Sequence, residues 1–159
     1  QLKGEYLEKK IFDLDKLVEQ QILLFEKITK EKGITLTLQK YGNLQVFADK
    51  NMIDLAIRNL ISNAIKFSGQ GDYVTVILKE NEETISVKVK DTGLGISEEN
   101  LEKLKNRESF TTPGKDKTTG TGLGMLLVHD YIVKNGGELS IHSQTGKGSE
   151  FSFSLPKNE

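Results

Sequence analysis

Hydrophobic residues recur every three or four positions in three long stretches of the chain, and this spacing predicts three helices. The first lies between Asp13, which suits an N-cap, and Gly33, which suits a C-cap. The second begins at Asp49 and is densely apolar, and the third covers residues 121–135. A short helix is also predicted over residues 97–105.

Apolar and polar residues alternate in the segments between these helices, which predicts strands. Residues 34–38 and 44–46 are predicted to pair as a hairpin across the turn Tyr41-Gly42-Asn43. Residues 74–78 and 85–89 form a second predicted hairpin. The remaining predicted strands are a short edge strand at residues 5–12 and a final pair at residues 138–143 and 149–155.

This order of elements predicts an α+β protein, a two-layer α/β sandwich of about three helices on a mixed, mostly antiparallel sheet. Residues 107–119 lack periodicity and are rich in Gly, Thr and Lys, which predicts a mobile loop. Since no repeat or linker interrupts the 159 residues, the whole chain is predicted to be one domain.

Composition narrows the function classes. A net charge of -1 gives no bulk attraction to nucleic acid or to acidic membranes. The chain has no cysteine, which rules out disulfides and thiolate metal sites. No apolar run approaches the roughly 20 residues of a membrane span. The first residue is Gln1 rather than Met, which suggests a piece of a longer protein.

A polar stripe interrupts the second helix. At about 100° per residue, Asn59, Asn63 and Lys66 fall within a stripe roughly 60° wide. An amide oxygen is a hard ligand suited to Mg²⁺, and a lysine ammonium supplies a point charge for phosphate. The helix alone favours an ordinary solvated face over a phosphate site.

Two glycine-rich boxes follow. Residues 91–96 (DTGLGI) come at the end of a predicted strand, where they also suit an ordinary turn. Residues 120–125 (GTGLGM) precede an apolar helix, whose first amides could meet a phosphate. Neither box has the spacing of a Rossmann fingerprint or a P-loop.

Together and in this order, residues 59–67 (NLISNAIKF) and the two glycine boxes resemble the nucleotide site of the histidine kinases. Those enzymes belong to a wider ATPase superfamily shared with gyrase, the Hsp90 chaperones and MutL. The resemblance covers residues 49–156. It implies a Bergerat-type ATP-binding fold with ATP and Mg²⁺ as cofactors.

The resemblance also assigns roles. Asn63 would ligate Mg²⁺, Asn59 and Lys66 would act in catalysis beside the phosphates, and Phe67 would line the adenine pocket. Asp91 would accept a hydrogen bond from the adenine amino group, a task suited to an ionised carboxylate. The other implied nucleotide contacts are Gly93, Gly95, Ile96, Phe110, Lys115, Gly120, Thr121, Gly122, Leu123, Gly124 and Ser149.

Asn59 separates the classes within the superfamily. At the position of Asn59, the hydrolases of the superfamily carry a glutamate that activates water, whereas histidine kinases carry an asparagine. An amide cannot act as a general base near neutral pH. The residue therefore favours phosphoryl transfer over hydrolysis.

A histidine kinase also needs a histidine that accepts the phosphoryl group. The chain contains only His129, on the helix behind the second glycine box, and His142, on a predicted strand. Both are predicted to be structural. The chain is thus interpreted as a cytoplasmic catalytic and ATP-binding domain, monomeric alone, that acts on a separate dimerisation and phospho-acceptor domain. A response regulator receiver domain would act downstream.

Three other interpretations stay open at this stage. A chaperone-, gyrase- or MutL-type ATPase and an anti-sigma-type serine kinase would each be expected to have a glutamate at position 59. A nucleotide-free scaffold would not need Asn63, Asp91 and five glycines to be kept intact.

Overall fold

The computed structural model describes residues 6–106 and 123–158. The elements, in chain order, are β1 (Lys9–Asp13), α1 (Leu14–Lys32), β2 (Thr35–Tyr41), β3 (Gln45–Asp49), α2 (Lys50–Lys66), β4 (Tyr73–Glu80), β5 (Thr84–Asp91), α3 (Glu98–Lys105), α4 (Leu123–Lys134), β6 (Ser140–Gln144) and β7 (Gly148–Pro156). The predicted α+β class is confirmed, with α3 as a short fourth helix.

Five strands form the main sheet in the order β2-β4-β5-β7-β6. Only the β2–β4 pair is parallel, and the other three pairs are antiparallel. The hairpin predicted from residues 74–78 and 85–89 is confirmed, because Val76 lies opposite Val89 and Leu78 opposite Val87. The final pair of predicted strands is also present, as β6 and β7.

The first predicted hairpin is wrong. β2 pairs in parallel with β4, whereas β3 pairs antiparallel with β1 in a separate two-stranded sheet. The amide of Asn43 donates to Glu80 Oε1 at 2.9 Å, which holds the end of β2 beside β4. The carbonyl of Leu44 accepts from the amide of Leu14 at 3.0 Å, which directs the following residues toward β1. Helix α2 then provides the crossover that a parallel pair requires.

Local capping sets the helix ends. Gly33 ends α1 in the left-handed conformation, with φ of 72°. Asp49 begins α2, and its side chain accepts a hydrogen bond from the Met52 amide. Asp13 precedes α1 but makes no side-chain cap. Ser97 caps α3 through the Asn100 amide.

The core lies between the helices and one face of the sheet. Alternate strand residues point inward and are fully buried, among them Val76, Val87 and Leu155. Helix α2 contributes a densely buried face that is completed by Val128 and Ile132 of α4. Because α2 is buried along that face, its polar stripe must lie at the margin of the core.

Candidate functional site

The polar stripe of α2 forms the first wall of the candidate site. Asn59, Asn63, Lys66 and Phe67 are all half-buried, between the core face of α2 and solvent. The Asn59 amide nitrogen donates to the Leu55 carbonyl at 3.0 Å, which fixes the orientation of its side chain. The carbonyl oxygen of that side chain, Oδ1, is the atom turned toward α4.

The second wall is the start of α4. A Cβ built on Gly124 would lie 3.2 Å from Asn59 Oδ1, so the backbone of α4 approaches α2 closely at this point. A larger residue at position 124 would press on the Asn59 side chain. Of the second glycine box, Gly124, Met125 and the backbone of Leu123 belong to the described residues.

A cation lies over the aromatic ring at the end of the stripe. Lys66 Nζ is 5.1 Å from the centroid of the Phe67 ring. An ammonium at that distance is attracted to the face of the ring. The contact draws Lys66 toward the end of α2, beside the first glycine box.

The first glycine box is pressed against the end of α2. A Cβ on Gly93 would lie only 2.1 Å from the Phe67 carbonyl oxygen, so no side chain fits there. The next amide, that of Leu94, donates to the same oxygen at 3.0 Å. Gly95 has φ of +75°, and its Cβ would lie 2.2 Å from the Gln144 carbonyl oxygen. Each glycine is therefore required for close backbone contact.

Asp91 is the buried acid of the site. It ends β5, and its Oδ1 accepts from the Gly93 amide at 2.9 Å. Burial raises the pKa of this carboxyl to about 6, although hydrogen bonds from the Gly93 and Ser149 amides act in the opposite direction. The negative charge of Asp72 raises this pKa further. Asp91 is thus an ionisable acceptor in a water-poor pocket, a common feature of functional sites.

Ser149 lies directly across the β5–β7 ladder from Asp91. Its hydroxyl is 2.8 Å from the hydroxyl of Ser143. The Ser143 hydroxyl also accepts from the Ile96 amide at 2.7 Å, which ties the first glycine box to β6. Sequence reasoning missed Ser143, because nothing in a short strand pattern distinguishes this serine from a surface one.

Several predicted residues lie outside the described part of the chain: Phe110, Lys115, Gly120, Thr121, Gly122 and the side chain of Leu123. Among the residues that are described, the structure brings Gly124 against Asn59 in the middle of α2, and the first glycine box against Phe67 at the end of α2. The chain order alone did not require this proximity.

The two histidines lie elsewhere. His129 is buried on α4, and His142 is exposed on β6. Both line a cavity of about 390 Å³ with Lys105, Val133 and Glu138, and neither Asn63 nor Asp91 lines it.

The donor set around α2 fits Mg²⁺ only as a complex with phosphate. The stripe offers neutral amide oxygens and no carboxylate, and Mg²⁺ usually keeps several waters and phosphate oxygens among its ligands. The acid nearest along α2, Asp54, is bound to Arg58 at 2.7 Å and to Gln21 at 2.6 Å. No group of three or more His, Cys, Asp or Glu side chains within the described residues could hold a metal ion. Likewise, no helix in this part of the chain is long and apolar enough to cross a bilayer.

Comparison with known proteins agrees with this chemistry. The family model described as "Histidine kinase-, DNA gyrase B-, and HSP90-like ATPase" matches residues 48–159. The chain is 34% identical to the histidine protein kinase DivJ of Caulobacter vibrioides over 94% of its own length and 25% of that protein's. It is 30% identical to the sensor protein SrrB of Staphylococcus aureus, over 98% of its own length and 27% of that protein's.

Solved structures give the same result. The chain matches the catalytic domain of the histidine kinase ThkA with a TM-score of 0.80 and 27% identity, over 95% of this chain and 97% of that one. ThkA in complex with the response regulator protein TrrA matches with a TM-score of 0.77 and 26% identity, over 98% of this chain and 44% of that one. The chain spans about a quarter of the length of DivJ and of SrrB.

Proposed function

The chain belongs to the histidine kinase-, DNA gyrase B- and HSP90-like ATPase family, and from that membership we propose that it binds Mg-ATP and presents the γ-phosphoryl group to a histidine on a separate dimerisation and phospho-acceptor domain. This is the catalytic step of two-component signal transduction. The domain would work in the cytoplasm, as part of a longer sensor kinase that passes the phosphoryl group to a response regulator receiver domain.

One observation carries the proposal. The α2 wall offers amide oxygens and an ammonium and has no acid on its stripe, while a buried acid, Asp91, lies at the other end of the site. A hydrolase needs a base beside the terminal phosphate, and the Asn59 amide cannot be one. The arrangement therefore suits holding a triphosphate for transfer rather than hydrolysis.

Each described residue has a specific task in this proposal. Ionised Asp91 accepts from the adenine amino group. Gly93 and Gly95 let the backbone beside Asp91 pack against the Phe67 and Gln144 carbonyls, which fixes the shape of this pocket. Phe67 packs against the base. The backbone of Ile96 forms the next part of this pocket. The backbone amide of Ser149 donates a hydrogen bond to the Asp91 carboxylate.

The triphosphate would extend from the base pocket along α2. Asn63 would hold Mg²⁺ through its amide oxygen, and the ion would neutralise charge on the phosphate oxygens. Lys66 would contact a phosphate as a point charge, and Asn59 would orient the terminal phosphate from the side that faces Gly124. Phe110, Lys115 and the glycines 120–122 stay predicted contacts.

The transfer step itself needs little covalent chemistry from this chain. Phosphoryl transfer is driven mainly by positioning and by neutralising charge. The acceptor histidine must come from another domain, because His129 is buried and His142 lies on β6 outside the candidate site. Alone, the chain should bind ATP and turn over almost none of it.

The testing experiment is a calorimetric titration with ATP, with and without Mg²⁺, followed by incubation with an added phospho-acceptor domain from a sensor kinase. We expect the chain to bind ATP more tightly in the presence of Mg²⁺. With the acceptor domain present, we expect the γ-phosphoryl group of ATP to appear on the acceptor histidine and not as free phosphate. Stoichiometric release of phosphate by the chain alone, abolished by Asn63→Ala, would instead indicate a hydrolase. A folded chain that binds no ATP would indicate a scaffold.

A further inference from the structure

Helices α2 and α4 are joined at their far ends by a buried amide. The backbone amide of Asp49, just before α2, donates to Asn135 Oδ1 at 2.7 Å. Asn135 directly follows α4 and is fully buried, at 0% exposure. Its side-chain nitrogen donates to the Tyr131 carbonyl at 2.7 Å and contacts Met52 Sδ at 3.6 Å. Every polar atom of this side chain is therefore engaged.

The Asp49 carboxylate extends the same network. Its Oδ1 accepts from the Met52 amide at 3.2 Å, and its Oδ2 accepts from the Glu8 amide at 3.0 Å. One acid and one amide thus connect the residues before β1, the end of β3, the first turn of α2 and the end of α4. We name this network, Asp49, Asn135 and the amides of Glu8 and Met52, the far-end junction.

The far-end junction joins the start of α2 to the end of α4, whereas the contact between Gly124 and Asn59 joins the start of α4 to the middle of α2. Asn59 follows Asp49 by about ten residues, and Gly124 precedes Asn135 by about as many, which is about 15 Å along each helix. The two helices therefore run antiparallel and contact each other at both of these places. A slide of α4 along α2 would displace Gly124 from Asn59 by the same amount.

We infer that Asn135 is a positioning residue for the triphosphate. By fixing α4 against the start of α2, it sets the distance between the two walls of the site, the amide stripe of α2 and the start of α4 at Gly124. The inference rests on the proposed function, because it assumes that these walls hold the phosphates. The far-end junction also links the segment at Glu8 to the position of α4, because the Glu8 amide donates to Asp49.

The base pocket should not depend on this junction. Asp91 is held by the amides of Gly93 and Ser149, and Gly93 is packed against the end of α2 near Phe67. None of these contacts involves α4. Loss of the junction should therefore weaken binding of ATP and leave binding of AMP unchanged.

Asn135→Ala tests the inference in the full 159-residue chain, with Gln21→Ala as the matched control. Gln21 is also buried, and its amide nitrogen also bridges two elements, donating to the Asp54 carbonyl at 2.8 Å and to Asp54 Oδ1 at 2.6 Å. It joins α1 to α2, however, because both of these hydrogen bonds end on Asp54 of α2. Thermal unfolding gives the melting temperature of each variant. Binding of Mg-ATP and of AMP is then measured by calorimetry well below the lower of the two melting temperatures.

We expect both variants to melt earlier, but only Asn135→Ala to raise the Kd of Mg-ATP, by about tenfold, with the Kd of AMP unchanged. Equal losses for both nucleotides, or the same Mg-ATP affinity as Gln21→Ala, would overturn the inference. If Asn135→Ala does not fold, Asn135→Ser replaces it. A serine hydroxyl can bond the carbonyl four residues earlier but cannot reach the Asp49 amide, and the same two outcomes apply.

Glu8→Pro tests the connection to the N-terminal segment, since it removes the amide that donates to Asp49, and Glu8→Ala, which keeps that amide, is its control. A rise of about threefold in the Kd of Mg-ATP, with AMP unchanged, is expected. If neither the Kd of Mg-ATP nor that of AMP changes, the proposed connection between Glu8 and the site is wrong. A wild-type chain that binds neither nucleotide would overturn the proposed function, and this inference with it. Wild-type binding with no selective effect of Asn135 overturns this inference alone.

Discussion

The two sides of the candidate site are built from different materials. The side proposed for the base is made of backbone: Gly93 and Gly95 lie against carbonyl oxygens with no room for a Cβ, and Asp91 is held by main-chain amides. The side proposed for the triphosphate is made of half-buried side chains on a helix face, Asn59, Asn63 and Lys66.

Because of this difference, substitutions on the two sides should affect different properties: the stability of the fold on one side and nucleotide binding on the other. Backbone walls cannot be changed without moving the sheet and the end of α2, so a substitution there should damage the fold. Side chains on a half-buried stripe can be replaced with little effect on the core, so a substitution there should damage binding alone. Asp91 lies between these cases, because a backbone pocket surrounds an ionisable side chain.

The largest effect is expected for Gly93→Ala. Its methyl group would overlap the Phe67 carbonyl, 2.1 Å away, and the backbone would have to shift. We expect a loss of about 3 kcal/mol in the free energy of unfolding, measured by urea denaturation. Gly71→Ala is the control: it has φ of +86° but open space around the Cβ, and should lose only about 1 kcal/mol. Equal losses would refute the steric argument.

Asp91→Asn should weaken ATP binding without lowering the stability of the fold. It replaces the acceptor for adenine by a group that can turn a donor toward it, and the Kd of ATP should rise about a hundredfold by calorimetry. The fold should not suffer at pH 7.5. The raised pKa, from 3.8 to about 6, means that the ionised carboxylate costs the folded state about 3 kcal/mol at neutral pH. A lower urea midpoint for the variant at pH 7.5 would contradict this account.

The same pKa gives ATP binding a pH dependence. As the pH falls through about 6, Asp91 becomes protonated, and a neutral carboxyl accepts the adenine amino group less well. The Kd of ATP at pH 5 should be about tenfold higher than at pH 7.5. Folding has the opposite dependence: the contribution of Asp91 to stability is full below about 4 and is lost as the pH rises through about 6.

Asp72 is the control for this pH profile. Its charge contributes to the raised pKa of Asp91, so Asp72→Asn should move the midpoint of the ATP affinity profile to lower pH. An unmoved midpoint would show that the charge of Asp72 contributes little to this pKa beside the effect of burial.

The smallest effect is expected on the side-chain wall. Asn63→Ala should raise the Kd of Mg-ATP about fivefold, since one neutral ligand is lost, and should leave the Kd of ATP in EDTA unchanged. Thermal unfolding should show no loss of stability because Asn63 is half-buried. An equal effect with and without Mg²⁺ would remove Asn63 from the metal role.

Local patterns predicted most elements well. The helix start at Asp49, the stop at Gly33 and the hairpin of β4 and β5 all follow from spacing, caps and turns within a few residues. The start after Asp13 follows from spacing alone, because Asp13 makes no side-chain cap. The failed hairpin of β2 and β3 has the same alternation as the true one. What decides between them is distant: the carboxylate of Glu80, on β4, binds Asn43, and Leu14 binds the carbonyl of Leu44.

The candidate site divides in the same way. Motif order predicted Asn59, Asn63, Lys66 and Asp91 as site residues, and these stay predictions that rest on the residue types a nucleotide site requires. Ser143 and Asn135 carried no such signal. Each is an ordinary polar residue near the end of an element, and its role depends on which amide the fold brings within about 3 Å of it.

By itself, the sequence determined the family, the α+β class and the residue types that can meet ATP, because these follow from local periodicity and from side-chain chemistry. Only the tertiary structure decided strand pairing, the burial that raises the pKa of Asp91, and the antiparallel placement of α4 on α2. The physical reason is distance along the chain. Burial and long-range hydrogen bonds depend on residues far apart in sequence, which no local pattern encodes.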